Sequence, residues 1–339
     1  MFKKTSLILA LGLIQGLIIA AEKPNILIIY ADDIGYGDLS CYGGTGAQTP
    51  FIDRLANDGI RFSSGYASAA TCTPSRYSLL TGEYAFRNKS AKILPGNAPL
   101  IIDPAKPNIA SFMKDAAYKT ALVGKWHLGL GLSDGSFDWN SNIKPAPREL
   151  GFDYSFYMAA TGDRVPSVYI ENSEVVDLDP SDPIKVSYAK PVGTEPTGIS
   201  HPHLLTVQAD VQHAGTIVNG ISRIGTMTGG HTARFKDEDM ADTYLNKAID
   251  FIEEHKNEPF CYMLAIPDPH GPDTVRAPYD TMLDDSDSEM PRTFDKSAKD
   301  VPSWAEPADK CNYKMAAYLG MVKCIDDNVG RILGALRER

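Results

Sequence analysis

Four short polar clusters in this sequence combine residue types that could carry out nucleophilic or metal-assisted chemistry. Carboxylates are hard ligands for Ca²⁺ or Mg²⁺, a cysteine can act as a nucleophile, and cationic or imidazole side chains can bind anions or move protons. The clusters are Asp32-Asp33, Cys72 to Arg76 (CTPSR), Lys125-Trp126-His127, and His270 within PDPHGP.

Asp32 and Asp33 follow directly after the apolar run NILIIY, which is typical of a buried parallel strand. Because successive side chains of a strand point to opposite faces, two adjacent acids can converge only where the chain has left the strand. This placement favours a site for Ca²⁺ or Mg²⁺. The alternative is an acidic loop that caps the next helix.

Cys72 precedes Pro74, a residue that fits the first turn of a helix. Cys72 is therefore predicted at a helix N-terminus, where the helix dipole favours an anionic group or a bound anion. Arg76 follows one turn later and can face back towards Cys72. The alternative is an ordinary helix preceded by a free or disulfide-bonded cysteine. The five cysteines are odd in number and fit no zinc spacing.

The other two clusters place titratable groups at the ends of predicted strands. Lys125 and His127 come at the end of the strand expected at Thr120–Gly124, and His127 could be a general acid or base. His270 follows the strand expected at Phe260–Ile266, among prolines that fix the backbone. For Lys125 and His127, the alternative interpretation is a surface lysine and a packed histidine.

The elements that must position these residues alternate between strands and helices. Apolar runs predict strands at 25–30, 61–66, 120–124 and 260–266. Periodic apolar positions and flanking proline or glycine predict helices at 50–58, 74–80, 108–116, 237–255 and 314–336. Residues 129–236 are rich in glycine, proline, serine and aspartate, which predicts long loops and short strands. The fold class is therefore α/β, with a mostly parallel central sheet covered by helices on both faces.

The overall composition excludes several classes of protein. The chain has 339 residues, of which 43% are hydrophobic and 22% charged, so disorder and a collagen-like fibre are excluded. A net charge of -10 argues against general nucleic-acid binding, which needs phosphate neutralisation. An anionic substrate is still compatible, because local cations or a metal can reverse the field inside a pocket.

Residues 1–21 have the organisation of a secretory signal peptide. Lys3 and Lys4 precede an apolar run from Leu7 to Ala20, and small residues follow for cleavage. A membrane anchor, the alternative, needs about 18 or more apolar residues, and no later stretch is apolar enough to span a membrane. We expect cleavage, export to the periplasm or the extracellular space, and a catalytic domain over residues 22–339.

Together the motifs resemble those of the type I, formylglycine-dependent sulfatases of the alkaline phosphatase superfamily. The family's C-x-P-S-R signature matches Cys72 to Arg76 in full. The run PNILIIYADDIGYGDLSCYGG resembles the family's opening strand and metal loop, and VGKWHLG and MAAYLGMVKCIDDNVGRIL resemble later blocks. The resemblance covers most of the chain from Lys23 onward, and it implies an alkaline-phosphatase-like α/β sandwich.

The resemblance also implies two cofactors. A separate formylglycine-generating maturation enzyme would oxidise Cys72 to Cα-formylglycine, whose hydrated form attacks the sulfur of a sulfate monoester. Asp32 and Asp33 would be ligands of Ca²⁺ or Mg²⁺, and the modified residue at position 72 would be a further ligand.

By the same resemblance, four other residues would have roles at the reacting sulfate. Arg76 would hold the alkoxide end of the hydrated aldehyde, and Lys125 would contact sulfate oxygens. His127 would hydrogen-bond the hydrated aldehyde and promote the release of sulfate. His270 would contact the sulfate or protonate the leaving oxygen.

One feature departs from the family pattern. The family continues with a strand and a Ser-Asp-Asn-Gly-like turn that supplies further metal ligands, whereas this sequence stops at Arg339. We therefore expect an incomplete metal site and no C-terminal subdomain. The run Asp326-Asp327-Asn328 is not expected to substitute, because the apolar periodicity of its helix leaves the acids on the solvated side.

The expected activity is calcium-dependent hydrolysis of a sulfated carbohydrate. Residues 209–242 resemble a segment of sulfatases that act on galactose or N-acetylgalactosamine 6-sulfates. Two alternatives stay open: a phosphate or phosphonate monoester hydrolase of the same superfamily, and a non-catalytic truncated fragment.

Overall fold

The computed structural model describes residues 23–206, 211–271 and 313–337, and a six-stranded sheet forms its centre. The strands of this sheet are β1 (Ile26–Ile29), β2 (Lys119–Lys125), β3 (Tyr154–Met158), β4 (Ile170–Glu171), β5 (Glu174–Val175) and β10 (Phe260–Ala265). Their spatial order is β1-β10-β2-β3-β4-β5. The first four are parallel and the last two antiparallel, so the carboxyl ends of four strands share one edge.

The described residues form five α-helices, close to the predicted positions. They are α1 (Pro50–Asp58), α2 (Cys72–Thr81), α3 (Ile109–Asp115), α4 (Met240–Glu254) and α5 (Tyr313–Arg337). Local sequence sets their ends: proline begins α1, the Asn108 side chain caps α3, and Gly82 ends α2 in a left-handed conformation.

The helices cover both faces of the sheet, as the sequence predicted. Leu122 of β2 packs in one core with residues of α2 and α3. Ala121 and Val123, its neighbours, pack in a second core with α4 and α5. Because side chains of a strand alternate in direction, β2 contributes to both cores and is almost entirely buried.

The glycine- and proline-rich region forms short elements joined by loops, again as predicted. Two small antiparallel ribbons lie here: β6 (Lys185–Ser187) pairs with β9 (Thr226–Thr228), and β7 (Thr216–Val218) pairs with β8 (Ile221–Arg223). Ile224, directly after β8, forms a parallel bridge with Arg164 in the loop that follows β3.

The strand predicted at Arg61–Tyr66 is wrong. This segment is irregular and exposed: Phe62 and Tyr66 have 69% and 90% of their surface accessible. A strand must pair its backbone N–H and C=O groups with a neighbour. No described strand pairs with this segment, so its β-forming residues do not produce a strand.

The prediction that Asp326 faces solvent is also wrong. Asp326 is fully buried, and its carboxylate accepts hydrogen bonds from the backbone N–H groups of Phe51 (3.3 Å) and Ile52 (2.8 Å). It therefore caps the N-terminus of α1, where free N–H donors and the helix dipole favour a carboxylate. The periodicity of α5 could not reveal this, because α1 packs against the side that was predicted to face water.

None of the helices in the described ranges combines the length and the apolar character that a bilayer crossing requires. The predicted signal peptide lies outside the described residues. The division of the chain into residues 1–21 and 22–339 stays a prediction.

Candidate active site

The carboxyl ends of β1, β2 and β10 bring three of the predicted clusters to one edge of the sheet, and α2 brings the fourth. Asp32 follows β1, and its backbone N–H donates to the carbonyl of Asp268, which follows β10 (3.0 Å). Cys72 opens α2, as predicted. The ligand atoms of Asp32, Cys72 and His270 all lie within 4.8 Å of one another.

Gly124 allows β2 and β10 to approach closely at this edge. Its φ is +117°, and a Cβ there would lie 1.9 Å from the Ala265 carbonyl oxygen. Only glycine combines this backbone conformation with the missing side chain. The neighbouring Lys125 is thereby held beside the segment that follows β1.

Asp32, Arg76 and Lys125 form what we call the buried cluster. The Lys125 ammonium donates a hydrogen bond to Asp32 Oδ2, and Arg76 Nη2 lies 3.5 Å from Asp32 Oδ1. Burial raises the pKa of Asp32, but the charges of Lys125 and Arg76 outweigh it and hold that pKa below its usual value. Burial and the Arg76 charge lower the pKa of Lys125. One anion thus faces two cations in a water-poor site, which favours a further anion.

Arg76 is held rigidly but keeps unused donors. Its Nη1 donates to the Lys125 carbonyl oxygen (2.7 Å), and the guanidinium lies 5.2 Å from the centre of the Tyr30 ring. Within the described part of the chain, Arg76 Nε and Nη2 have no hydrogen-bond acceptor. Buried donors without partners are costly, so these two groups are poised to bind the oxygens of an anionic ligand.

Cys72 lies half-buried between His270 and the buried cluster. Burial raises the pKa of its thiol, but hydrogen bonding with His270 and the positive charge of Lys125 outweigh burial and lower it. Cys41 and Cys261 are, like Cys72, free cysteines within the described ranges. Cys72 thus forms no disulfide with either of these residues. Its activating neighbours are His270 and Lys125.

His127 is a fully buried imidazole with a defined tautomer. Its Nε2 lies 2.8 Å from the Leu94 carbonyl oxygen, and since a carbonyl only accepts, Nε2 must carry the hydrogen. Burial and the Lys125 charge hold the pKa of His127 well below its usual value, so the ring is neutral. Its Nδ1 is then an acceptor that has no partner among the described residues.

His270 has the opposite character. Its Nδ1 donates to the Gly271 carbonyl oxygen (2.7 Å), and its Nε2 lies 3.8 Å from Asp33 Oδ2. Burial lowers the pKa of His270, but hydrogen bonding with Cys72 and the negative charge of Asp32 raise it overall. Asp33 itself is more than half exposed, so the two predicted carboxylate ligands sit in different surroundings.

Two acids near this edge were missed by sequence reasoning. Asp268 and Asp237 line a small cavity together with Asp32, Lys125 and His270. Burial and the negative charge of Asp32 raise the pKa of Asp268 to about 7. The position of Asp268, directly after β10, was an available signal, because that is where ligands bind in parallel sheets. Asp237 lies at the start of a helix and gave no such signal.

The residues present fit a hard divalent cation and an oxygen-rich group at position 72. The carboxylates of Asp32 and Asp33 are oxygen ligands of the kind that Ca²⁺ and Mg²⁺ prefer. Among the described residues, Arg76 Nε and Nη2 have no acceptor and can donate to sulfate or hydroxyl oxygens. His127 Nδ1 has no donor there and can accept from a hydroxyl group. The roles predicted for the individual site residues stay predictions.

Comparison with known proteins decides the family. A profile of the sulfatase family matches residues 24–339. The chain belongs to the sulfatase family. It is 52% identical over 252 residues to the N-acetylgalactosamine-6-O-sulfatase of Bacteroides thetaiotaomicron, and the match covers 74% of this chain and 49% of that protein. It is 42% identical over 117 residues to human arylsulfatase H, covering 32% of this chain and 20% of that protein.

A solved structure agrees with this assignment. The structure comes from work on the metabolism of multiple glycosaminoglycans by Bacteroides thetaiotaomicron. It matches with a TM-score of 0.80 and 43% identity, over 94% of this sulfatase chain and 60% of that chain. The predicted family and the predicted α/β fold are therefore confirmed. The chain spans about half the length of the first of these curated relatives.

Proposed function

We propose that the protein carrying this chain hydrolyses the sulfate monoester of a sulfated glycan. The observation that supports this best is the convergence of Asp32, Cys72 and His270, whose ligand atoms lie within 4.8 Å of one another, beside the cations of the buried cluster. A nucleophile precursor, a metal-binding carboxylate and a proton donor meet there in a sulfatase chain.

Two groups would complete this site. Cys72, once oxidised to Cα-formylglycine by a maturation enzyme that reads CTPSR, would supply as its hydrate a hydroxyl nucleophile and a built-in route for release of sulfate. Asp32 and Asp33 would hold Ca²⁺, which supplies charge that stabilises the sulfuryl oxygens. Asp32 is paired with Lys125, so cation binding at this carboxylate would also reorganise that ion pair.

The chain's own cations would bind the sulfate group. Lys125 and Arg76 are almost completely buried, so their attraction to sulfate oxygens is little screened by water. Arg76 Nε and Nη2, which have no hydrogen-bond acceptor among the described residues, lie in the plane of the guanidinium, a geometry that matches paired oxygens.

The two histidines would divide the proton transfers. His127 is neutral, and its Nδ1 has no donor among the described residues, so it can accept the proton of a hydroxyl at position 72. His270 has a raised pKa and can hold a proton for the leaving sugar oxygen. Groups whose surroundings push their pKa values apart are suited to act as base and acid.

The substrate class proposed is a galactose or N-acetylgalactosamine 6-sulfate. The relative with 52% identity bears the name N-acetylgalactosamine-6-O-sulfatase, and its match covers 74% of this chain. We also propose export to the periplasm or the extracellular space, supported by the signal-like residues 1–21. N-terminal sequencing of the exported protein should find Ala21 or Glu22 first, whereas retention of Met1 would contradict export by cleavage.

The test is turnover by the protein that carries this chain, co-expressed with a formylglycine-generating enzyme and supplied with Ca²⁺. We expect release of sulfate from N-acetylgalactosamine 6-sulfate and from 4-nitrophenyl sulfate, and loss of both after chelation of the metal. Preferential turnover of a phosphonate monoester would favour the alternative hydrolase. No turnover of any ester, with formylglycine demonstrated by mass spectrometry, would favour the non-catalytic alternative.

A further inference from the structure

A second polar cluster lies beside the active site, and we call it the rim cluster: Asp163, Arg164 and His213. Gly162, the residue before it, lines the same small cavity as Asp32, Lys125 and His270. Arg164 is also close enough to His127 to contribute, after burial and Lys125, to the lowering of the His127 pKa. The rim cluster is therefore adjacent to the reacting groups but is not among them.

The side chains of the rim cluster contact one another and are mostly buried, but each still reaches water. Arg164 Nη1 lies 2.8 Å from Asp163 Oδ1, and His213 Nε2 lies 3.1 Å from Asp163 Oδ2. The side chains of Asp163, Arg164 and His213 are 14%, 15% and 28% exposed. All hydrogen bonds that the Arg164 side chain makes to described residues leave from Nη1. Nε and Nη2 can therefore donate to a ligand.

The loop that carries Asp163 and Arg164 is held in place by a buried ion pair between Arg223 and Asp237. Arg223 donates to the Gly162 carbonyl oxygen and to Asp237, and both side chains of this pair are 2% exposed or less. The backbone of Ile224 also donates to the Asp163 carbonyl oxygen (2.8 Å). The rim cluster is thus held in place before a ligand arrives, which lowers the entropy lost on binding.

We propose that Arg164 and Asp163 select the sugar by hydrogen-bonding the ring hydroxyl nearest the sulfated carbon. This inference rests on the proposed function and names a specificity determinant of that site. A hydroxyl both accepts and donates, and the rim cluster offers a guanidinium donor beside a carboxylate acceptor. In a hexose 6-sulfate the ring hydroxyl nearest to C6 is on C4, so with the sulfate at Lys125 and Arg76 this hydroxyl would be the one closest to the loop that follows Gly162.

The test separates sugar recognition from catalysis. Binding is measured by calorimetry in the C72A background, where turnover is absent, with N-acetylgalactosamine 6-sulfate and its 4-deoxy analogue. R164A should weaken binding of the sugar about 10-fold to 100-fold, the cost of losing a hydrogen bond to a charged group. It should leave binding of the 4-deoxy analogue nearly unchanged. R54A is the matched control, because Arg54 also pairs with an aspartate but is exposed on α1.

A second measurement uses the active protein. R164A should lower kcat/KM for N-acetylgalactosamine 6-sulfate by the same factor, mainly through KM, while kcat/KM for 4-nitrophenyl sulfate changes little. Equal losses for the sugar and its 4-deoxy analogue, or no loss for either, would overturn the proposal. If no ester is hydrolysed but the binding cycle behaves as expected, the proposed function fails and the recognition role of Arg164 stands.

Discussion

The buried cluster and the rim cluster each pair one aspartate with an arginine and a second basic side chain, but they differ in how far water reaches them. In the buried cluster, Asp32 is enclosed with two cations whose side chains are 1% exposed. In the rim cluster, Asp163 pairs with an arginine that is 15% exposed and a histidine that is 28% exposed. The charges of the buried cluster therefore interact strongly with one another. The charges of the rim cluster interact more weakly, because water reaches them.

Because of this difference in burial, substitutions in the two clusters should have different effects on the protein. Removing one partner from a fully buried ion pair leaves a charge that water cannot reach and destabilises the fold, whereas a pair that partly reaches water, as Asp163 and Arg164 do, is expected to lose less. Substitutions in the buried cluster should therefore lower both the stability of the fold and the catalytic rate. Substitutions in the rim cluster should mainly change which ligand binds.

The largest effect is expected from removing the nucleophile precursor. C72A should lower kcat for sulfate esters by about 10⁴-fold or more, because covalent catalysis is lost while binding groups remain. C41A is the matched control, since Cys41 is another partly buried free cysteine outside the site. Sulfate release from 4-nitrophenyl sulfate measures the effect, and substantial activity in C72A would show that the nucleophile lies elsewhere.

Removal of the Lys125 cation should affect both activity and stability. K125M should lower kcat about 10²-fold to 10³-fold, as loss of a preorganised charge at the reacting group does. It should also lower the free energy of unfolding, because Asp32 loses one of its two buried cationic partners and keeps only Arg76. Urea denaturation measures the second effect. K119M, at the exposed start of the same strand, should change neither quantity; comparable losses in K119M would contradict this account.

A pH-dependent stability effect is expected at Asp268. The folded protein keeps the Asp268 proton up to a pKa of about 7, whereas the unfolded chain releases it near 3.8. Between these values the folded state binds more protons, so the stabilising contribution is full below the lower pKa and is lost as pH rises through about 7. In chelator, D268N should gain stability relative to the unsubstituted protein as pH rises from 4.5 to 8. A constant difference across this range would contradict the raised pKa.

The smallest effect is expected at the rim. R164A should lower the free energy of unfolding less than K125M does, because Asp163 reaches water and keeps its contact with His213 when Arg164 is removed. Urea denaturation of R164A beside K125M compares the two clusters directly. A loss in R164A as large as that in K125M would show that the rim cluster is structural.

The sequence predicted most of the fold and the four clusters of the site. Buried strands and helix ends have strong local signals, so β2, α1 and α5 were placed within a few residues. Polar residues directly after strands then had to meet at one edge of the sheet. The local sequence of Cys72 likewise predicted its helix N-terminus.

What the sequence could not predict depends on contacts between distant segments. Asp326 is buried only because α1 packs on α5, some 275 residues away in sequence. The rim cluster needs His213 to lie beside Asp163, and both come from the region with the weakest periodicity. The segment 61–66 has the composition of a strand but lacks a partner among the described strands.

The most direct test of the central claim is a crystal structure of the C72A protein with Ca²⁺ and N-acetylgalactosamine 6-sulfate. We predict sulfate oxygens within hydrogen-bond distance of Lys125 and Arg76, the cation on Asp32, and a ring hydroxyl at Arg164. A sugar bound with its sulfate away from Lys125 and Arg76 would contradict the account.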